Sequence, residues 1–120
     1  MSSRLLAPLA LALFVLSPHA LAAQDARLDA RLDASTRDAV VAIVDSARGA
    51  GIPGEPLVQK ALEGASKHAD DARILAAVRM LARELGDARA ALGPSSSDAE
   101  VVAGASAMHA GIAPAALTRM

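Results

Sequence analysis

The sequence predicts an all-α fold: a small irregular antiparallel helical bundle of about four helices with a C-terminal helical stub. Two observations carry this. Apolar residues recur at helical spacing in separate stretches, each stopped and restarted by short Gly, Pro and Ser punctuation. The stretch Ala50-Gly51-Ile52-Pro53-Gly54-Glu55-Pro56-Leu57 reads as a helix end, a tight turn and a new helix start, and it has an echo at Ala110-Gly111-Ile112-Ala113-Pro114. Glycine reaches the left-handed conformation that closes a helix, and the apolar residue after it folds back onto the last turn. Gly54 can cap the next helix, and Pro56 fits its first turn.

Residues 1–22 read as a secretory signal peptide. Arg4 gives a positive n-region. Residues 5–16 form an apolar run, shorter than the roughly 20 residues of a membrane span. Ser17-Pro18 breaks the run, and Ala20-Leu21-Ala22 is a cleavage site that would leave Ala23 first. The competing reading is an uncleaved N-terminal anchor, which Pro8 and Pro18 would disturb. The expectation is a periplasmic or secreted protein with no transmembrane span after cleavage.

Residues 23–34 contain Asp-Ala-Arg-Leu twice in tandem, with Leu28 and Leu32 four apart. Two leucines make a thin seam. The stretch reads as a linker or nascent helix, or as a docking element for a partner. Residues 35–120 form the helical domain.

The first helix of that domain is expected from Ser35, with Ser35 and Asp38 as a capping box. Val40, Val41, Ile43, Val44 and Ala47 form its stripe, Arg48 suits the negative end of its dipole, and Gly49 or Gly51 ends it. The second runs over about residues 55–67 with Leu57, Val58, Ala61, Leu62 and Ala65 on one face. Glu63 and Lys67 stand in the favourable i, i+4 order. Gly64 there implies close approach of another helix. The third is the longest, with Asp70 as cap and Asp71 at its positive end. Ile74, Val78, Leu81, Leu85, Ala88 and Leu92 form a heptad-like seam, Gly86 is a candidate kink, and Gly93-Pro94 is the stop. Ser97 and Glu100 form a capping box for the fourth, which turns Val101, Val102, Ala105 and Met108 inward. Gly111-Ile112 closes it, and Pro114 opens a last short helix over 115–120. Residues 41–60 and 101–120 match at Val41, Ser46, Ala47, Ala50, Gly51, Ile52 and Leu57. A weaker third version begins at His68. Either one turn solution is reused or an αα unit is duplicated.

The run Gly51-Ile52-Pro53-x-x-Pro56-Leu57-Val58-x-Lys60-Ala61-x-Glu63-Gly64 resembles a stretch found in small exported bacterial helical proteins that carry no assigned activity. The resemblance covers residues 35–120. It implies an exported all-α domain and says nothing of chemistry.

Composition narrows the function classes. The chain has no cysteine, which excludes disulfides and a lipid anchor on an N-terminal cysteine. Loss of Arg4 leaves eleven bases against thirteen acids, a formal charge of −2, so nucleic acid is not an expected partner. The only aromatic residue is Phe14, inside the signal, which removes base stacking and aromatic cages as binding modes.

Among chemistry-bearing residues, His68 with Asp70 and Asp71 is the most ligand-like group, since imidazole and carboxylates hold divalent cations. Capping and helix-dipole roles account for the same three residues. His109 in the echoed turn has the same two readings, and a joint site would need the two turns adjacent. Ser95, Ser96 and Ser97 lack the elbow of a serine nucleophile. Glu55, Glu63, Glu84 and Glu100 read as solvated helix positions. Arg73, Arg79, Arg83 and Arg89 give the longest helix a partly basic side, weakened by Asp87. The expectation is a non-enzymatic exported protein that acts through helix-mediated protein contacts, with no cofactor and no metal. The rivals are a metal or small-ligand module at His68 and His109, and an accessory subunit of an envelope complex docked through Leu28 and Leu32.

Overall fold

The computed structural model describes residues 26–119, so the signal segment, its cleavage site and Met120 lie outside the described residues. Six helices appear among the described residues: α1, described over 26–31, α2 Ala34–Gly49, α3 Glu55–Ser66, α4 Asp71–Leu92, α5 Asp98–His109 and α6 Pro114–Thr118. No strand occurs among the described residues. The four main helices α2–α5 and the stub α6 form a small all-α bundle, with α1 added at its start. Helix α4 packs against α2, α3, α5 and α6, and is its centre. No helix of the described residues is long and apolar enough to cross a membrane.

Of the readings of residues 23–34 as linker, nascent helix or docking element, the described part agrees with the helix and not with the docking element. Residues 26–31 are helical, and Leu28 and Leu32 are buried in the common core, Leu28 at 1% exposure. Neither leucine is available to a partner. Two ionic contacts fasten α1 outward: Arg27 donates a fork of two hydrogen bonds of 3.1 Å to Glu55 on α3, and Arg37 of α2 bonds Asp29. The cap of α2 is corrected as well. Asp33, not Ser35, is the N-cap, in extended backbone with its carboxylate accepting from the Thr36 N–H at 2.9 Å. Asp and Ser cap about equally well. Burial of Leu32 immediately before Asp33 decides between them, and Asp38 is left to bond Arg37.

Helix α2 buries Thr36, Val40, Val44 and Ala47, four positions on one face. Of the two expected stops, Gly49 is its last helical residue and Gly51, one past the Ala50 cap, takes the left-handed place at φ +77°. The Ile52 N–H reaches back to the Ala47 carbonyl at 2.9 Å, and the Gly51 N–H to the Arg48 carbonyl at 3.0 Å, the two bonds of a Schellman motif. The same pair recurs after α5, with Ile112 to Ala107 at 3.0 Å and Gly111 to Met108 at 2.9 Å. It recurs a third time after α3, with Ala69 to Gly64 and His68 to Ala65, both 3.0 Å. There His68 takes the left-handed place at φ +58°, where a Cβ is disfavoured.

The close approach expected at Gly64 is present: a Cβ there would stand 2.8 Å from Ile74 Cγ1 of α4. Helix α4 starts at Asp70, which accepts from the Arg73 N–H at 2.9 Å. It buries Ile74, Val78, Leu85 and Ala88, with Leu81 and Leu92 half-buried. Gly86 does not split α4. The helix is continuous over 22 residues, about 33 Å at the usual rise, and Gly86 lies opposite Ile52, whose Cδ1 would be 3.5 Å from a Cβ there. Both halves of the Ser97–Glu100 capping box form. Helix α5 buries Val101, Gly104 and Ala105. A Cβ on Gly104 would meet Leu92 and Ala88 of α4 at 3.1 and 3.2 Å and Leu117 of α6 at 3.4 Å. Helix α6 is thereby held by Leu117, and it spans Pro114–Thr118 where 115–120 was expected.

Candidate functional site

One cleft lies over α4 between α3 and α5. Lys60 comes from α3, Ala77, Met80, Leu81 and Glu84 from one side of α4, and Ala105, Ser106 and His109 from α5. The opening is about 240 Å³. Its cause is local: small residues at Ala77 and Ala105 leave room where larger ones would close the gap between helices. Met80 stands in it 47% exposed, off the Val78–Leu85 seam that faces the core. At one end His109 Nδ1 and Glu84 Oε2 are 3.1 Å apart, with the imidazole 70% and the carboxylate 20% exposed. Beyond Lys60 and Ala77, which it shares, a second cleft of about 240 Å³ continues toward Gly64, Lys67 and Arg73. There Glu63 bridges Lys60 at 3.2 Å and Lys67 at 3.0 Å, and these two ammonium groups, Lys67 first, hold its carboxyl below the usual range.

The candidates from sequence fall in separate places. His68 is exposed in the turn before α4, and Asp70 is spent on its cap. Asp71 lies against Asp33, which raises its pKa, while Asp33 is lowered to about 2 by the Thr36 N–H and then by Asp71. His109 bonds Glu84, thirteen residues along α4 from Asp71, a rise of about 20 Å. The His68 and His109 turns are therefore not one site. Among the described residues no group of three or more His, Cys, Asp or Glu is arranged to hold a metal ion. Of the serines, Ser97 is a cap and Ser96 Oγ donates to the Gly93 carbonyl at 2.6 Å. Ser106 shares the cleft with His109, but no hydrogen bond joins the two. Ser106 also sits inside a helix, where its backbone N–H is already used and cannot receive an oxyanion. Glu55 is held by Arg27 and Gln59, and Glu100 by Ser97.

Arg89 is a correction to the basic side read on α4. Arg73, Arg79 and Arg83 are exposed, but Arg89 is folded inward with its side chain 19% exposed. Its guanidinium donates to the Ser96 carbonyl, to Ser96 Oγ at 3.0 Å, to the Gly51 carbonyl at 3.0 Å and to Asp98 at 3.1 Å. It ties the turn after α2 to the loop before α5. The sequence signal was available: an arginine in the last turn of a helix, followed by a serine-rich loop, has carbonyls and hydroxyls within reach. Set against family models, curated proteins and solved structures, the chain finds no significant match in any of the three.

Proposed function

We propose that this chain is an exported, non-enzymatic helical protein that works by binding another polypeptide along the α3–α4–α5 cleft. The observation that carries the reading is the cleft itself: an apolar floor of Ala77, Met80 and Ala105 between charged rims at Lys60 and at Glu84 with His109. That pattern suits the apolar face of a helix laid into a groove, with rim charges setting its direction. Export is supported by Arg4, the apolar run and Ala20-Leu21-Ala22. A protein partner is supported over nucleic acid by the acidic balance and by the lack of any aromatic residue after Phe14. Leu28 and Leu32 sit in the core, so an accessory-subunit role would also run through the cleft.

The test is a photo-crosslinking residue placed at Met80 in the full chain, expressed in cells, with the exposed α2 position Asp45 as control. The expected result is one discrete protein adduct at Met80, absent at Asp45, on a chain whose N-terminus is Ala23. An equal adduct pattern at both positions, or none at Met80, overturns the binding reading. Full-length protein confined to the cytosol overturns export.

A further inference from the structure

We infer that the polypeptide taken by the cleft is a helix with carboxylates at one end of its apolar face, and that these carboxylates meet Lys60, Lys67 and Arg73. This rests on the cleft reading above and names the chemistry of the partner.

Helix α4 lays out the floor. Arg73, Ala77, Met80 and Glu84 stand at i, i+4, i+7 and i+11 of one unbroken helix, so they form a single stripe about 16 Å long. Ala77, Met80 and Glu84 line the Met80 cleft, and Arg73 lines its continuation. The two openings share Lys60 and Ala77, so they make one groove about three helical turns in length. Its middle is apolar. Its ends differ in charge.

At the Arg73 end, Lys60, Lys67 and Arg73 stand against one carboxylate, Glu63. Glu63 already serves both lysines, at 3.2 and 3.0 Å. No ion pair among the described residues uses Arg73, and the Asp70 carboxylate accepts from the Arg73 backbone N–H as the cap of α4. At the other end Glu84 lies beside His109. The chain as a whole has an acidic excess, yet this end of the groove has a cationic one.

A carboxylate arriving there completes the pairing that Glu63 leaves unfinished, and a basic residue arriving there is repelled. Exposed pairs add little affinity each, so their effect is on the choice of partner and its direction along the groove. An amphipathic helix with an acidic end presents carboxylates and apolar side chains on one face, the order in which Arg73, Ala77 and Met80 receive them. A flat anionic membrane fits less well, because the groove is concave between α3 and α5 and holds Glu63 and Glu84.

The test uses the full chain in cells with the photo-crosslinking residue at Met80. Lys67→Glu with Arg73→Glu reverses the cationic end. Arg79→Glu with Arg83→Glu makes the same change in net charge at exposed positions of α4 that line neither opening. The expected result is that the first pair lowers the Met80 adduct about tenfold and the second leaves it within about twofold. The crosslinked segment, mapped by mass spectrometry, should carry Asp or Glu next to apolar residues at helical spacing. Far-UV melts check that each variant folds. If the reversed pair does not, Lys67→Gln with Arg73→Gln decides, with an expected loss of about threefold. An adduct equally strong in both double variants, equally weak in both, or mapped to a segment without carboxylates overturns the inference and leaves the cleft reading standing. Parent protein that binds phosphatidylglycerol vesicles and loses that binding with Lys67→Glu and Arg73→Glu assigns the cationic end to a membrane, which also overturns it. No Met80 adduct in the parent overturns the cleft reading and the inference together.

Discussion

Removing the Arg89 side chain is expected to loosen the whole turn end of the bundle. The guanidinium makes one salt link and three hydrogen bonds to neutral acceptors that come from two different segments, Gly51 and Ser96. A hydrogen bond from a charged donor contributes about 1.5–3 kcal/mol when shielded from water. The Asp98 partner is 73% exposed, so that link adds about 0.5 kcal/mol or less. The acceptors near the surface regain water once the arginine is gone, so the losses do not simply add. Arg89→Ala should therefore cost about 2–3 kcal/mol in all. For a domain of this size that is a fall in Tm on the order of 10–20 °C. Arg89→Lys should recover less than half of it, because one ammonium cannot serve a carbonyl on each segment as a planar fork does. Asp98→Ala should stay within about 0.5 kcal/mol. Far-UV circular dichroism melts measure all three, since the only aromatic residue is Phe14. An Arg89→Ala melt within a few degrees of the parent, or full restoration by lysine, would refute the reasoning.

Three further outcomes are expected. Gly64→Ala should cost about 1–3 kcal/mol, because its Cβ would enter Ile74, whereas Gly86→Ala, at ordinary contact distance, should be neutral or stabilise by up to about 1 kcal/mol; urea midpoints compare them. Gly51→Ala should lose about 1 kcal/mol to its left-handed backbone with no clash added, Gly49→Ala inside α2 should cost less, and His68→Gly should gain stability by relieving the one non-glycine positive φ of the described residues. Asp33 has its carboxyl lowered to about 2 by the Thr36 N–H and the Asp71 carboxyl, so its folded value lies below its unfolded one. Its contribution is complete above about pH 4 and is lost as pH falls toward 2. Asp33→Asn keeps the cap and should flatten that acid limb in denaturant titrations at several pH values; an unchanged limb would assign it to other groups.

Local chemistry was legible in the sequence; long-range chemistry was not. The Ser97–Glu100 box, the Asp70 cap, the Gly51 stop and the tight contact at Gly64 follow from residues within a turn of each other, or from a glycine that has no other reason to interrupt a helix. The docking of α1 was missed because two leucines four apart look the same whether they meet a core or water. Only the presence of a finished bundle buries Leu28. Asp33 displaced Ser35 as cap for the same reason. Gly86 drew notice as a candidate kink, but α4 runs through it without a break, and Ile52 opposite leaves ordinary contact distance for a Cβ. The site was half legible. His109 and Glu84 each drew notice, yet their pairing spans 25 positions, and nothing in either segment points to the other. Met80 could have been found as the apolar residue that steps off the Ile74–Leu85 seam. The dense punctuation at residues 50–57 shows where the chain turns and not which helix the others pack on. The centre is α4, whose role is visible only from what packs on it.

That central position sets an order of events as the chain emerges from a ribosome or a translocation pore. Helices α2 and α3 touch each other, but the surface that covers both belongs to α4, which is complete only at Leu92. Until that residue is out, Val40, Val44, Leu57 and Val58 have no finished enclosure, and the first two-thirds of the molecule stays open to a chaperone. The last arrivals, α5 and α6, then meet a surface already assembled. A ribosome stalled shortly before residue 92 should hold a protease-sensitive chain, and one stalled well past residue 118 a resistant one.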